Sequence, residues 1–434
     1  MGASPPPADH PPSYWAATRG PGEQFDALTS DCETDFLIIG GGFSGLSAAY
    51  RLRALGADCI LLEANDVGWG ASGRNGGMVV PRYKHTFPTL AKDYGRETAL
   101  AMHRAAHRAV DLIETLVRDE NLDCGFTRCG HLTPFVHEPD AKRFAADVDW
   151  LANEAADTVP RLLDRAEIET RTGTPFYSGA YFEPRGGAVH PLRYSRQLAA
   201  AVARRGGHIH TRTQVLSWSR EGSSIRARTP NATVRARRLL LATNAHTDLT
   251  QAGTVLKRCV IPITSSLVAT APLTDALRKA ILPQGNVVTD AKRLTNYFRI
   301  SEDGRMIFGG RGGASHQESE TIYSRLRREM AQIYPDLADR RIDFRWSGRV
   351  AVTLDGLPRV GKLNDQVFFA MGYNGRGVAL ATLLGHMLAD LSAGQPGELG
   401  PITGPMTTIP FHAFRVPAKK VVMTYYKLRD ALGL

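Results

Sequence analysis

A glycine-rich turn between a short apolar strand and a helix constrains the fold of this chain more than any other feature. Residues 35–39 are apolar and predict a buried strand, and residues 44–55 follow with the spacing of a helix. Three glycines stand at this junction in the order G-x-G-x-x-G: Gly40, Gly42 and Gly45. A second apolar run, residues 59–63, ends at Glu63. This complete βαβ unit predicts a dinucleotide site, with phosphates at the helix N-terminus and the Glu63 carboxylate on a ribose.

The next segment favours FAD over NAD as the dinucleotide. Residues 68–78 contain five glycines in eleven positions, and glycine removes side-chain bulk where backbone must touch a ligand. Ser72, Arg74 and Asn75 are interspersed among them and can contact phosphate. The position of the βαβ unit near the start of a long chain also favours FAD. An NAD(P)-dependent dehydrogenase built on the same unit is the alternative, although it has no use for this loop.

Composition and charge narrow the class of protein further. The 53 Lys and Arg residues exceed the 43 Asp and Glu residues by ten, and they are dispersed along the chain. Because no aromatic-interleaved basic repeat accompanies them, no nucleic-acid partner is expected. No apolar run reaches the roughly 18 residues of a membrane-spanning helix, so no membrane contact is expected either. Five scattered cysteines, and no apolar signal segment at the start, predict reduced thiols and a cytoplasmic location.

The rest of the chain predicts a mixed α/β fold with two domains. Helical spacing occurs in residues 90–116, 142–153, 161–170, 191–205 and 321–333, with strand-like runs between them and a closing β–α pair at 367–370 and 378–391. We expect a Rossmann-type domain assembled from separated segments and a substrate domain with a mixed or antiparallel sheet. The expected division is an extended arm over 1–30, a dinucleotide-binding domain over 31–88, 191–250 and 340–395, a substrate domain over 89–190 and 251–339, and a basic extension over 396–434.

Five segments carry motifs in a characteristic order. They are residues 36–63, 70–78, 238–245 (RLLLATNA), 296–311 (from NYFR to FGGR) and 346–378 (from WSG through DGLP to GYNGRGV). In this order they resemble the D-amino-acid-oxidase-like flavoprotein amine oxidases. The resemblance is closer to the bacterial branch that contains γ-glutamylputrescine oxidase and sarcosine- or glycine-oxidase-like enzymes. It implies an FAD cofactor and covers about residues 30–395.

The motifs and the resemblance together name the expected cofactor contacts. Those contacts are Gly40, Gly42, Phe43, Ser44, Gly45, Glu63, Ala64, Gly70, Ala71, Ser72, Arg74, Asn75, Gly76, Gly77, Met78, Val215, Ala242, Thr243, Asn244, Gly348, Gly372, Tyr373, Gly375, Gly377 and Val378. Within this set, the resemblance implies that residues 372–378 approach the flavin ring and that the following helix points its N-terminus at it.

The resemblance also implies the reaction. A small amine or amino acid, such as a γ-glutamyl-polyamine or an N-methyl amino acid, would lose a hydride from its CH–NH bond to flavin N5. The imine would hydrolyse, and O₂ would reoxidise the flavin and give H₂O₂. The candidate catalytic residues are Tyr297, Arg311, Asn374 and Arg376. Arg299 is a further candidate for substrate contact, and Arg311 is suited to bind a substrate carboxylate.

Two departures from the family pattern leave alternatives open. Residues 305–308 lack the lysine that assists O₂ reduction in some sarcosine-oxidase-like members. A dehydrogenase that uses an electron carrier, or a flavin-binding subunit with its chemistry in a partner, is therefore an alternative. Residues 349–354 contain no cysteine and residues 70–77 no histidine, which predicts noncovalent FAD. His208 and His210 have no evident partner ligands, so no metal is expected. The amine and the oligomeric state stay open.

Overall fold

The structure of the protein is a computed structural model that describes residues 7–249, 256–311, 319–395 and 400–412, together with Val421, Thr424, Tyr425 and Arg429. Its helices are α1 (Tyr14–Ala17), α2 (Phe43–Ala54), α3 (Phe87–Tyr94), α4 (Arg96–Asp119), α5 (Glu138–Glu154), α6 (Arg165–Thr172), α7 (Pro191–Arg204), α8 (Asp275–Ala280), α9 (Glu320–Ile333) and α10 (Gly377–Ser392). None of the helices in these ranges has the length and apolar character needed to cross a membrane.

The strands alternate with these helices along the chain. They are β1 (Cys32–Ile39), β2 (Cys59–Leu62), β3 (Met78–Val79), β4 (His131–Phe135), β5 (Arg161–Leu163), β6 (Gly179–Glu183), β7 (Gly187–Ala188), β8 (His208–His210), β9 (Ser217–Glu221), β10 (Ser224–Arg228), β11 (Thr233–Leu241), β12 (Ile261–Thr270), β13 (Val287–Thr289), β14 (Asn296–Ile300), β15 (Met306–Arg311), β16 (Ile342–Val352), β17 (Arg359–Asn364) and β18 (Val367–Met371).

The first sheet is the expected Rossmann-type sheet, assembled from separated segments. Its order is β17-β18-β11-β1-β2-β8, and the hairpin of β9 and β10 pairs onto β11. Strands β18, β11, β1, β2 and β8 run parallel, while β17 is antiparallel at the edge. The last four residues of β1 are buried on both faces, as expected for a central parallel strand with both faces covered. The Rossmann-type prediction is confirmed.

Helices α2, α7 and α10 pack together beside this sheet. Gly385 of α10 lies against the first turns of α2, where a Cβ would be 2.5 Å from the Ser44 carbonyl oxygen and 2.7 Å from Ser47 Cβ. The Ser47 hydroxyl donates to the Thr382 carbonyl at 2.6 Å. The two helices therefore approach closely because small residues face each other.

The second sheet is mixed and mostly antiparallel, as predicted. Its order is β16-β12-β15-β14-β13-β4-β6-β5, with only β13 and β4 parallel among the described pairs. Strand β16 (Ile342–Val352) pairs with β12 along nearly its whole length. The sequence predicts that residues 340–395 belong to the dinucleotide-binding domain. The pairing of β16 with β12 shows that the expected boundary at 340 does not coincide with the division between the two sheets. Strand β16 belongs by pairing to the second sheet.

Two predicted helices differ from the observed elements. Gly95, with φ at +89°, separates α3 from α4, so the helix predicted over residues 90–116 is two helices. The helix predicted over residues 161–170 begins instead at Arg165. Asp164 and Glu167 form a capping box there, which fixes the helix start and leaves the preceding residues free to pair as β5.

The N-terminal segment is not the purely extended arm that the sequence predicted. It contains α1, whose Tyr14 and Trp15 are buried. The Tyr14 hydroxyl donates to Asp303 Oδ1 at 2.7 Å, and the Trp15 indole N–H donates to the Asn75 carbonyl at 2.8 Å. The segment therefore contacts both the glycine-rich loop and the hairpin of β14 and β15.

Candidate active site

The G-x-G-x-x-G turn places the start of helix α2 at a cavity. The chain leaves β1 through Gly40, whose φ of +114° favours glycine. A Cβ on Gly40 would also lie 2.8 Å from the Ala242 carbonyl oxygen, just after β11. Gly42 is the N-cap of α2 and provides no side-chain cap. The first turn of α2 therefore offers backbone N–H groups to an anion.

The cavity has a volume of about 460 Å³ and is lined by residues of both sheets. The predicted cofactor residues that line it are Gly40, Gly42, Phe43, Ser44, Glu63, Ala64, Gly70, Ala71, Ser72, Arg74, Asn75, Gly76, Met78, Val215, Ala242, Thr243, Asn244, Gly348, Tyr373, Gly375, Gly377 and Val378. Three predicted catalytic residues, Tyr297, Asn374 and Arg376, also line it. The fold thus brings segments from most of the chain to one site.

A few predicted residues lie outside the lining. The glycines among them are Gly45, Gly77 and Gly372. A Cβ on Gly45 would overlap the Gly40 carbonyl oxygen, so Gly45 serves helix–strand packing. The Gly372 N–H donates to Asn244 Oδ1 at 2.9 Å, which joins two cavity segments. Arg311 ends β15, and its side chain lies outside the described part of the chain, so the role predicted for it stays a prediction.

Glu63 lines the cavity where β2 ends. Its Oε2 accepts the Gly41 N–H at 2.7 Å and its Oε1 accepts the Asn65 N–H at 2.9 Å. Burial raises the pKa of Glu63, and these backbone N–H groups oppose that rise. Each oxygen keeps a lone pair for a ribose hydroxyl. Thr213, which the sequence analysis did not name, lines the same part of the site and donates its N–H to the Glu63 carbonyl at 2.8 Å.

The glycine-rich loop is held by its own side chains. Ser72 Oγ accepts the Phe43 N–H at 3.0 Å, which ties the loop to the start of α2. Arg74 donates to the Trp69 carbonyl at 2.7 Å and lies 4.2 Å from the Trp69 ring centroid. The Asn75 amide donates to the Ser72 carbonyl at 2.9 Å. The Asn75 side chain therefore fixes the loop, and the loop presents much of its backbone to a ligand.

Residues 373–376, which precede α10, form another part of the cavity wall. The Tyr373 hydroxyl lies 2.5 Å from Ser44 Oγ and joins this segment to the first turn of α2. Asn374 has φ at +54°. Its Oδ1 accepts the Thr353 N–H at 3.0 Å, and its Nδ2 donates to the Thr353 hydroxyl at 3.0 Å. These contacts favour a positioning role for Asn374 over the predicted catalytic one. Arg376 is the N-cap residue of α10.

The second sheet supplies the opposite wall. The Tyr297 hydroxyl lies 2.9 Å from Ser265 Oγ, and either can donate. The Tyr297 ring packs so closely on Gly76 that a Cβ there would be 2.9 Å from it. Arg299 does not line the cavity. It donates to the Val189 carbonyl at 3.0 Å, and burial lowers its pKa, so its described contacts are to the backbone of the protein itself, and the substrate contact predicted for it stays a prediction.

Two further residues that line the cavity, His246 and Arg349, are not among the contacts predicted from the sequence. His246 lies in a 3₁₀ segment (Asn244–Leu249) and meets Trp69 edge-on, with ring centroids 5.6 Å apart. Burial lowers the pKa of His246 to about 3, and the charges of Arg349 and Arg74 act in the same direction. The only sequence signal for a contact at His246 is its position, two residues after the predicted contact Asn244.

The residues present fit a dinucleotide such as FAD. Two helices, α2 and α10, begin at the same cavity, and each N-terminus favours negative charge. A Cβ on Gly42 would lie 2.8 Å from Ser72 Oγ, so the approach to α2 is open only because glycine stands there. The Glu63 carboxylate lies at the end of the adjacent strand, where a ribose is expected.

Comparison with known proteins decides the family. The model of the family described as "FAD dependent oxidoreductase" (DAO) matches residues 35–391. The chain belongs to this family. It is therefore an FAD-dependent oxidoreductase, and FAD is its cofactor.

Relatives and solved structures agree with this assignment. The chain is 28% identical to gamma-glutamylputrescine oxidoreductase of Escherichia coli over 98% of this chain and 100% of that protein. It is 30% identical to the probable oxidoreductase OrdL of Rhizobium meliloti over 96% of this chain and 97% of that protein. The crystal structure of glycine oxidase from Geobacillus kaustophilus superimposes with a TM-score of 0.74 at 20% identity, covering 86% of this chain and 98% of that one. At that identity the structural likeness shows the fold.

Proposed function

We propose that this FAD-dependent oxidoreductase oxidises the CH–NH bond of a small amine or amino acid, such as a γ-glutamyl-polyamine or an N-methyl amino acid. The similarity to gamma-glutamylputrescine oxidoreductase over nearly the full length of both chains supports this substrate class. The cavity would hold FAD along the first sheet. The substrate would lie where the second sheet faces residues 373–378.

The observation that carries the proposal is the polar wall opposite α10. The Tyr297 hydroxyl and Ser265 Oγ, 2.9 Å apart, can present a donor or an acceptor to a bound amine, because either hydroxyl can turn. Ring packing on Gly76 fixes Tyr297 in place. Bound FAD would supply the hydride acceptor, N5 of its ring. The chain's task is then to orient the substrate carbon and to exclude water.

Positive charge at the start of α10 favours electron transfer to a ring placed there. The helix N-terminus contributes a partial charge, and Arg376 adds a full one at the N-cap position. The Asn374 contacts to Thr353 hold the turn that places both groups. Arg376 would interact with the cofactor or with a substrate carboxylate, and Asn374 would position it.

We propose O₂ as the electron acceptor, which gives H₂O₂, with an electron carrier as the second candidate. The absent lysine in residues 305–308 favours that second candidate. Arg305 there does not replace it, because it pairs with Asp303 at 2.6 Å and Asp343 at 2.5 Å and does not line the cavity. The described cations that do line the cavity are Arg74, Arg349 and Arg376.

We also propose that FAD is bound without a covalent link to the protein. Among the described residues no cysteine lines the cavity, and the histidine that does is His246. Acid precipitation tests the attachment directly. We expect the yellow colour in the supernatant, and colour retained in the pellet would contradict noncovalent binding and make His246 the first candidate for the link.

Anaerobic mixing tests the proposed function. The FAD-loaded protein would be mixed without O₂ with γ-glutamyl-polyamines, other secondary amines and D-amino acids. We expect members of one class to remove the visible absorbance of oxidised flavin. Air would then be admitted and peroxide measured. Rapid recovery of absorbance with stoichiometric peroxide supports an oxidase, and recovery only with an added electron carrier supports a dehydrogenase. Absorbance that persists with every compound would overturn the proposal in favour of a flavin-binding subunit.

A further inference from the structure

Two histidines of helix α4 face an aspartate outside the FAD cavity. His103 and His107 lie one turn apart on the same face of the helix, and Asp157 follows α5 in the loop before β5. His103 Nε2 lies 2.9 Å from Asp157 Oδ2, and His107 Nε2 lies 3.8 Å from the same oxygen. The three possible ligand atoms are all within 4.8 Å of one another.

These distances suit a tetrahedral metal ion. Zn²⁺ with bonds of about 2.0–2.1 Å holds neighbouring ligand atoms roughly 3.3–3.4 Å apart. The two Nε2–Oδ2 separations of 2.9 and 3.8 Å lie on either side of that value, so a movement of about half an ångström in each would bring both histidine–aspartate pairs to the tetrahedral spacing. A separate cavity of about 380 Å³ adjoins the cluster and has room for a water molecule as the fourth ligand.

The protonation states are those of metal ligands. Burial lowers the pKa of His103, and burial with the nearby charge of Arg185 lowers the pKa of His107 to about 3. Both imidazoles are therefore neutral at pH 7. His103 Nε2 hydrogen-bonds the Asp157 carboxylate in this structure, so the ion would replace the proton at Nε2, and the imidazole would carry its proton on Nδ1. Burial alone would raise the pKa of Asp157, but hydrogen bonding to Arg185 lowers it, so the carboxylate is ionised.

The guanidinium of Arg185 already contacts Asp157 Oδ2, at 2.7 Å. It is shared with Glu183, whose two oxygens it also contacts at 2.8 and 2.9 Å. Two carboxylates and one guanidinium give this group a formal charge of −1, which a cation offsets. The other cations at the cavity, Arg104 and Arg108, are exposed, so solvent screens their charge.

We propose that His103, His107 and Asp157 bind one divalent ion of the Zn²⁺ class. The ion would tie α4, which packs against α3 and α10, to the loop that leads from α5 into β5 at the edge of the second sheet. The sequence analysis expects no metal, and its argument from His208 and His210 does not extend to the histidines of α4. The proposed site joins two histidines of one helix to an aspartate about fifty positions further along the chain. It does not depend on which amine the enzyme oxidises.

Calorimetric titration tests the site. The FAD-loaded protein would be stripped with a chelator and titrated with Zn²⁺, and bound metal would be counted by elemental analysis. We expect one saturable equivalent in the wild type. His107→Ala and Asp157→Asn should each weaken binding by at least about 10–100-fold, the loss that follows removal of even an outer partner of a metal ligand. His208→Ala is the matched control, because it removes an exposed imidazole from β8, and it should bind as the wild type does.

Flavin content and the visible circular dichroism of bound FAD report folding in every variant. His107 makes no hydrogen bond to Asp157 at 3.8 Å, so His107→Ala should retain both signals and remains informative if Asp157→Asn does not fold. No saturable binding by the wild type, or equal affinity in wild type and His107→Ala, would overturn the site. Loss of affinity in His208→Ala as well would also overturn it.

Discussion

The contact between α10 and α2 gives the sharpest stability prediction, the substitution Gly385→Ala. Two effects oppose each other. Alanine favours an interior helix position by about 1 kcal/mol over glycine. The added Cβ, however, would lie 2.5 Å from the Ser44 carbonyl oxygen, 2.7 Å from Ser47 Cβ and 3.2 Å from the Ala48 nitrogen. None of these atoms can move by a rotamer change, so one helix must shift.

The clash should win over helix propensity. Overpacking costs about 1–3 kcal/mol, and contacts of 2.5 and 2.7 Å with atoms that cannot rotate away place this clash in the upper part of that range, about 2–3 kcal/mol. Less the gain of about 1 kcal/mol in helix propensity, the free energy of unfolding should fall by about 1–2 kcal/mol. At about 2.1 cal/mol/K per residue, this lowers the unfolding midpoint of a two-state chain of 434 residues by about 1–2 °C. The shift also parts Ser44 from Tyr373. Their hydrogen bond contributes about 0.5–1.5 kcal/mol, so FAD binding should weaken roughly two- to tenfold.

Fluorescence titration of the apoprotein with FAD and thermal release of flavin measure the two effects. Gly394→Ala is the matched control at the end of the same helix. Gly394 has φ at +81° and open space around it, so alanine there costs about 1 kcal/mol of backbone strain without moving α10. The control should keep the wild-type affinity for FAD. A Gly385→Ala protein that is more stable than wild type and binds FAD equally well would refute the packing argument.

Three further predictions concern the cavity and its surroundings. Glu63→Gln removes the charge that accepts two backbone N–H groups, so the Kd for FAD should rise at least about tenfold; an unchanged Kd would count against the ribose role. Tyr297→Phe removes the hydroxyl paired with Ser265 but keeps the ring, so kcat/KM should fall roughly two- to tenfold at unchanged FAD affinity. A kcat/KM equal to that of the wild type on every substrate would exclude the hydroxyl from the site. Burial lowers the pKa of His190 from 6.5 to about 3, and its Nδ1 accepts the Arg193 N–H. The unfolded chain therefore binds more protons below pH 6.5, and the free energy of unfolding should fall as the pH is lowered from 6.5 towards 3. Urea unfolding at pH 7.5, 6 and 5 measures this, and a midpoint that stays constant or rises towards pH 5 would contradict it.

The dinucleotide-binding half could be predicted because its signal is local. The glycines at 40, 42 and 45 and Glu63 all fall within one βαβ unit, whose geometry follows from the spacing of its residues. The cavity contacts at Val215, Asn244 and Gly348 are distant in sequence. They were placed by the ordered motifs of the family, which no periodicity argument could supply.

The features that the sequence did not reveal depend on contacts between residues that are distant along the chain or that meet only in the folded structure. Strand β16 pairs with β12, which is far away in the chain, so no local pattern could show that residues 342–352 belong by pairing to the second sheet. The Asn374 amide is engaged by Thr353, a contact that only the folded turn reveals, and the catalytic role predicted for Asn374 stays a prediction. The cluster of His103 and His107 with Asp157 also depends on tertiary structure, because the fold brings together side chains about fifty positions apart.

We propose that the flavin of this enzyme takes a hydride from a carbon bonded to nitrogen. Single-turnover reduction without O₂ tests it, using an accepted amine with hydrogen or deuterium on that carbon. We expect flavin absorbance to be lost once per substrate molecule, one imine-derived carbonyl product to form per flavin, and deuterium to slow the reduction. Flavin that stays oxidised with every CH–NH compound while FAD remains bound, or reduction without a carbonyl product, would contradict it.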